Sequence, residues 1–164
     1  MVEKRRRREG KTDYHARIIL LRSGKPRIVF RKTNRYVLGQ YVKSKEAKDE
    51  VVVGADSKML LGKGWPEKLS GSLKSAPACY LTGLLLGKMI LKQEKKAEGI
   101  FDLGLLRNSP KSRMYAFLKG VRDAGVEIKV DEKMFPDEDR IKGVHLKNDI
   151  PKLFNKIQKS IEEE

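Results

Sequence analysis

The chain has 164 residues, enough for one domain with a real hydrophobic core, and its 39% hydrophobic content with 7% aromatics is low for a globular protein. Its formal net charge is +15, and the first 35 residues hold ten of those charges, with thirteen lysines and arginines against Glu3, Glu9 and Asp13. A single cysteine, Cys79, excludes an internal disulfide, no apolar run reaches the roughly 18 residues of a membrane span, and the basic start leads into no secretory signal. A reducing cytoplasm and a polyanionic partner are therefore expected.

Residues 1–11 are polar, basic and aperiodic, which predicts an extended arm that stays mobile until an anion holds it. Arg5, Arg6, Arg7 and Arg8 are its sharpest feature, since guanidinium forks grip phosphate oxygens in pairs or stack on unpaired bases. A nuclear address, or an arm that keeps the protein soluble, is the alternative. The continuation of positive charge through Lys11, Arg17, Arg22, Lys25, Arg27, Arg31, Lys32 and Arg35 into predicted ordered structure favours nucleic-acid contact. The arm has almost no apolar face with which to enter a membrane surface.

Thr12 is placed to cap a short helix bearing Arg17 and Arg22, with Asp13 at its positive end and Gly24 and Pro26 stopping it. Residues 25–32 read as a strand, 33–35 as a turn, and 36–42 as the returning strand, a hairpin with a basic tip. At that tip Thr33, Asn34 and Gln40 offer neutral donors and acceptors for base edges or a ribose hydroxyl, although Asn34 is equally at home as a turn residue. Residues 50–56 form a third strand of the meander, and their continuous apolar run predicts burial on both faces.

Residues 57–75 read as a short helical piece and a long loop around Trp65, which serves either as a base-stacking platform or, more commonly, as a plug at the core's edge. Ser75 is placed to cap a long helix over 76–96 with Pro77 in its first turn. Cys79, Gly83 and Gly87 fall four apart on that helix, so one face admits close backbone approach by the chain's own sheet or by RNA, the sheet being favoured. A strand over 99–105, a helix capped by Ser109 and stopped by Gly125, and a strand over 126–130 follow. Helix–strand–helix–strand after a meander implies a mixed α/β sheet with parallel crossovers. The balance then shifts to seven basic and nine acidic residues over 131–164, ending in a helix over 150–161. The expected organisation is a basic arm at 1–11, an α/β core at 12–130 and a helical C-terminal tail at 131–164.

No catalytic constellation emerges. Asp56, Asp102 and Asp123 are the candidates for a metal-dependent nuclease, the rival reading, but they lack convergent acids, and Asp123 shares a helix face with Lys119. Neither His15 nor His145 has a partner at metal-ligand spacing, and Cys79 reads as a core residue, so no cofactor and no metal is expected.

Several blocks carry a resemblance: residues 5–14 (Arg5 to Tyr14), Gly24-Lys25-Pro26-Arg27, Arg31-Lys32-Thr33-Asn34-Arg35, residues 76–88 beginning Ala76-Pro77-Ala78-Cys79, Asp102-Leu103-Gly104-Leu105, residues 117–125 and residues 135–143. In this order they resemble the large-subunit ribosomal protein family called universal L-eighteen, which includes the eukaryotic L-five proteins, and the short length is similar to the archaeal form. The sequence departs from the family over 66–75, where Glu67, Lys68, Leu69 and Lys74 intervene. The resemblance implies a ribonuclease-H-like shape without nuclease activity, binding to 5S ribosomal RNA in the central protuberance, and contacts to 23S ribosomal RNA. It also implies two neighbouring proteins, universal L-five and the eukaryote-type L-twenty-one. RNA contacts then carry over to Arg5, Arg6, Arg7, Arg8, Lys11, Arg17, Arg22, Lys25, Arg27, Arg31, Lys32, Thr33, Asn34 and Arg35.

Overall fold

The computed structural model describes residues 5–46, 48–146 and 150–163. The start of the expected arm at 1–4 and the last residue, Glu164, lie outside the described residues. Three strands form the antiparallel meander: β1 (Arg27–Lys32), β2 (Val37–Lys45) and β3 (Lys48–Asp56). Thr33 makes the first turn, its hydroxyl donating to the Tyr36 carbonyl at 2.8 Å and accepting from the Tyr36 N–H at 3.0 Å. β4 (Glu98–Asp102) lies parallel to β1, and β5 (Glu127–Ile128) parallel to β4, so the mixed sheet has the order β3-β2-β1-β4-β5.

Side chains alternate across this sheet. Ile28 and Phe30 point with Val37, Tyr41, Val53 and Ala55 into the main core, while Arg27, Val29 and Arg31 take the opposite face. β3 is not buried on both faces as expected. It is the edge strand, and Lys48, Asp49, Glu50 and Val51 are exposed. An apolar triplet such as Val51-Val52-Val53 is the same in an edge as in a central strand; sheet order decides its burial.

The long helix, α4 (Ala76–Gln93), and α5 (Arg113–Asp123) cover the core face together. The small face of α4 meets α5 rather than the sheet. A Cβ at Gly83 would stand 2.0 Å from the Phe117 carbonyl oxygen, one at Gly87 2.4 Å from Ala124 Cβ, and one at Gly120 2.1 Å from the Tyr80 carbonyl oxygen. This intimacy presses Phe117 onto the sheet, where its ring lies 5.1 Å from that of Phe30 and fills the space above Gly39. Cys79 is wholly buried, which pushes its thiol up to about 12. Trp65 is 2% exposed and its indole N–H donates to the Leu69 carbonyl, so it plugs the core and offers no stacking platform.

Several element ends differ from expectation. Arg5–Arg8, expected extended, form one helical turn, α1. Asp13 rather than Thr12 caps α2 (Tyr14–Arg22), its carboxylate accepting from the His15 and Ala16 N–H groups at 3.0 Å. Ser112 rather than Ser109 precedes α5, because the Lys111 N–H is held by the Met134 carbonyl at 2.8 Å and keeps residues 109–111 out of the helix. Between β3 and α4 lie α3 (Met59–Gly62) and a 3-10 segment, Glu67–Ser72. After α6 (Glu138–Lys142), α7 (Ile150–Glu162) buries Ile150, Phe154, Ile157 and Ile161, and Phe154 stacks 5.5 Å from Tyr80 of α4. The tail therefore shares the core. Among the described residues no helix is long and apolar enough to cross a membrane.

Overpacking of a backbone-to-backbone contact has no flexible side chain to relieve it. Gly83→Ala and Gly120→Ala are each expected to cost about 1–3 kcal/mol or more, whereas Gly71→Ala, with nothing within 4 Å, should be nearly neutral. Urea midpoints of the three variants check this.

Candidate nucleic-acid interface

Helical geometry turns the four consecutive arginines of α1 through about 100° per residue, so their guanidinium groups fan around one short axis. All four are exposed. Glu9 tethers the turn, 3.5 Å from Arg5 Nε and 2.8 Å from Lys11 Nζ. Arg22 is exposed near the C-terminal end of α2, where a cation complements the helix dipole. At the hairpin tip Lys32, Asn34 and Arg35 are exposed. The Asn34 carbonyl accepts from Lys74 Nζ at 2.8 Å, which ties the tip to the segment before α4. Thr33 spends its hydroxyl on the turn. Lys25 is bound to Glu98, whose hydrogen bond and charge raise its pKa.

Arg27 does not share that surface. It is 3% exposed, and its Nη1 lies 2.8 Å from Asp102 Oδ2 while Nη2 lies 2.7 Å from Asp49 Oδ1 and 3.1 Å from Ser44 Oγ. Asp102 also receives Arg31 Nη2 at 3.3 Å and the Gly104 N–H at 2.8 Å. Asp49 also receives Arg17 Nη2 at 2.8 Å and the Ser44 hydroxyl at 2.7 Å. The result is an alternating chain, Arg17, Asp49, Arg27, Asp102, Arg31, that runs from α2 across β3, β2, β1 and β4. Burial raises the pKa of Asp49, but hydrogen bonds from Ser44, Arg17 and Arg27, with the charge of Arg27, outweigh it and hold the carboxyl at about 2.

Thus the sequence-predicted cations divide in two. Arg5, Arg6, Arg7, Arg8, Lys11, Arg22, Lys25, Lys32 and Arg35 stand outside with Asn34, Lys25 paired with Glu98, while Arg17 and Arg31 are partly covered and tied down, and Arg27 is interior. Asp49 and Ser44 escaped the sequence reading. The signal was there in part: an aspartate beside Ile100 and Phe101 and an arginine beside Ile28 and Val29 each demand a partner once buried. Asp102 is a structural anion with both oxygens engaged. Asp56 accepts the Met59 N–H at 3.1 Å, and Asp123 accepts the Tyr80 hydroxyl at 2.9 Å. No group of three His, Cys, Asp or Glu among the described residues is arranged to hold a metal ion.

Arg17 ties α2 to this chain, and none of the helix's residues is buried. Ile18 and Ile19 are 50% and 55% exposed. Between α2 and the stretch after β4 opens a cleft of about 1070 Å³, lined by both apolar and cationic side chains.

The sequence matches, over residues 1–100, the family described as ribosomal large subunit proteins 60S L5 and 50S L18. It is 47% identical over 152 residues to the large ribosomal subunit protein uL18 of Korarchaeum cryptofilum, covering 93% of this chain and 75% of that protein. The uL18 protein of Methanoculleus marisnigri is 42% identical over 158 residues, covering 96% and 87% of the two chains. That of Caldivirga maquilingensis is 45% identical over 146 residues, covering 88% and 68%.

Removing one partner of a buried ion pair strands the other. Arg27→Ala and Asp102→Ala are each expected to cost about 3–5 kcal/mol by chemical denaturation; Arg35→Ala, at the exposed tip, should cost little. Because the folded pKa of Asp49 is depressed, its contribution is present above pH ~4 and is lost as pH falls toward 2. Acid titration of stability should therefore be shallower in this window for Asp49→Asn than for the unaltered chain.

Proposed function

The chain belongs to the family of ribosomal large-subunit proteins that comprises 60S L5 and 50S L18, and on that premise we propose that it binds 5S ribosomal RNA and helps attach it to 23S ribosomal RNA in the central protuberance. It is a structural protein of the cytoplasmic ribosome and not an enzyme. The observation that carries the RNA-binding reading is the sorting of the N-terminal charges. Arg5, Arg6, Arg7, Arg8, Arg22, Lys32 and Arg35 remain at the surface, where a polyanion can reach them. Arg17, Arg27 and Arg31 hold the platform beneath them.

Phosphate recognition by such a set positions RNA, while Asn34 at the tip supplies a neutral amide able to read a base edge or a ribose hydroxyl. The basic α1 turn is the reaching element and the hairpin the fixed one. The sheet order β3-β2-β1-β4-β5, with β2 alone reversed, supports the ribonuclease-H-like shape implied by the family resemblance. Within that shape Asp102 has both oxygens engaged, one by Arg27 and the other by Arg31 and the Gly104 N–H. Universal L-five and the eukaryote-type L-twenty-one protein are the proposed protein neighbours.

With about six phosphates neutralised, log affinity for a 5S ribosomal RNA transcript should fall against log salt with a slope between roughly −4 and −5. Replacing Arg5, Arg6, Arg7 and Arg8 together by alanine should weaken binding and flatten that slope while leaving the circular dichroism of the core unchanged. Salt-insensitive binding, or a lost fold with retained affinity, would contradict the proposal.

A further inference from the structure

The cleft beneath α2 has two kinds of wall. Ile18 and Leu21 of α2 face it from one side, and Leu103, Leu105 and Leu106, which follow β4, from the other. Arg6, Lys11 and Arg31 stand at its rim with Arg17. The acids there are already committed: Asp13 caps α2, while Asp49 and Asp102 bind the arginine chain. Lys11 is shared with Glu9, but Arg6 has no acidic partner among the described residues. Leu105 is 61% exposed and Ile18 50%, so apolar surface is left wet where positive charge is concentrated.

An occupant that suits both features carries an apolar plate and an anion on the same short unit. A nucleotide taken out of its stack is such a unit. A paired stem would present only phosphates to the rim and leave the apolar walls in water, and a neutral apolar peptide would leave the rim cations unanswered. The cleft, at about 1070 Å³, is at the upper end of ordinary ligand sites and has room for one extruded nucleotide with its flanking phosphates. Resting on the RNA-binding reading above, we infer that this cleft receives a single unpaired nucleotide of the RNA, its base against Ile18 and Leu105 and its phosphates on the rim. α2, joined to the sheet by the Arg17–Asp49 pair and by the turn at Gly24, forms the wall that carries Ile18.

The test uses the full chain with two probes, a 5S ribosomal RNA transcript and a fully paired RNA hairpin. Ile18→Ser and Leu105→Ser alter exposed side chains and should leave the denaturation midpoint unchanged. On the 5S transcript each should lower affinity about tenfold, the scale of one lost base contact, without changing the salt slope, because no phosphate contact is removed. On the paired hairpin neither should have an effect. Acylation of ribose hydroxyls at saturating protein should show one unpaired nucleotide altered by the unchanged protein and not by the variants. Unchanged 5S affinity, as for a cleft that meets a protein, would overturn the inference while leaving RNA binding intact, as would an equal loss on both probes. Failure of the unaltered chain to bind the 5S transcript would overturn the functional reading and this inference together.

Discussion

Arg27 lies 3% exposed on the sheet face opposite α4 and α5, and a guanidinium so placed is tolerable only when carboxylates answer it in good geometry. Asp102 from β4 and Asp49 from β3 do so from opposite sides, with Ser44 of β2 between. A single side chain therefore cross-links all three strands of the meander to the first parallel strand. The same acids then fix Arg17 and Arg31. Of the two walls of the cleft, α2 is thereby located relative to the sheet by a charge pair, while the stretch after β4 is held both by Asp102 and by Leu103 and Leu106, which pack against the main core.

This arrangement separates two duties of arginine that composition merges. Interior guanidinium groups use planar forks to organise a polar seam, and each carboxylate they meet cancels charge that would otherwise repel the remaining cations. Exterior groups keep their charge for the solvent side. The local field stays positive where RNA would lie, while the seam beneath it is close to balanced, so concentration of like charge does not tear the platform apart.

The other face is rigid for a different reason. The α4–α5 pair approaches so closely at Gly83 and Gly120 that carbonyl oxygens occupy the place of side chains. Phe117 is thereby driven onto Phe30 and Gly39. β1 thus sits between a dry helix layer on one side and an ionic seam on the other. Since β1 leads directly into the hairpin tip at 33–35, whatever fixes this strand also fixes the basic turn.

Much of the element order was legible from sequence, because helical and strand periods are local properties: the hairpin, the long helix after Ser75 and the parallel strands all lie close to where the pattern puts them. Ends were less so. Ser109 and Ser112 are equally good caps in isolation, and a bond from Lys111 to Met134 chooses between them. The spacing of Gly83 and Gly87 announced a close approach but not by what. The concentration of charge at the N-terminal end, and with it the kind of partner, was determined by the sequence alone, since net charge needs no geometry. Which of those charges are available was decided only by tertiary structure. Arg27 and Arg35 are indistinguishable as residue types, and what separates them is a carboxylate 75 positions along the chain that the parallel pairing of β1 with β4 brings to 2.8 Å.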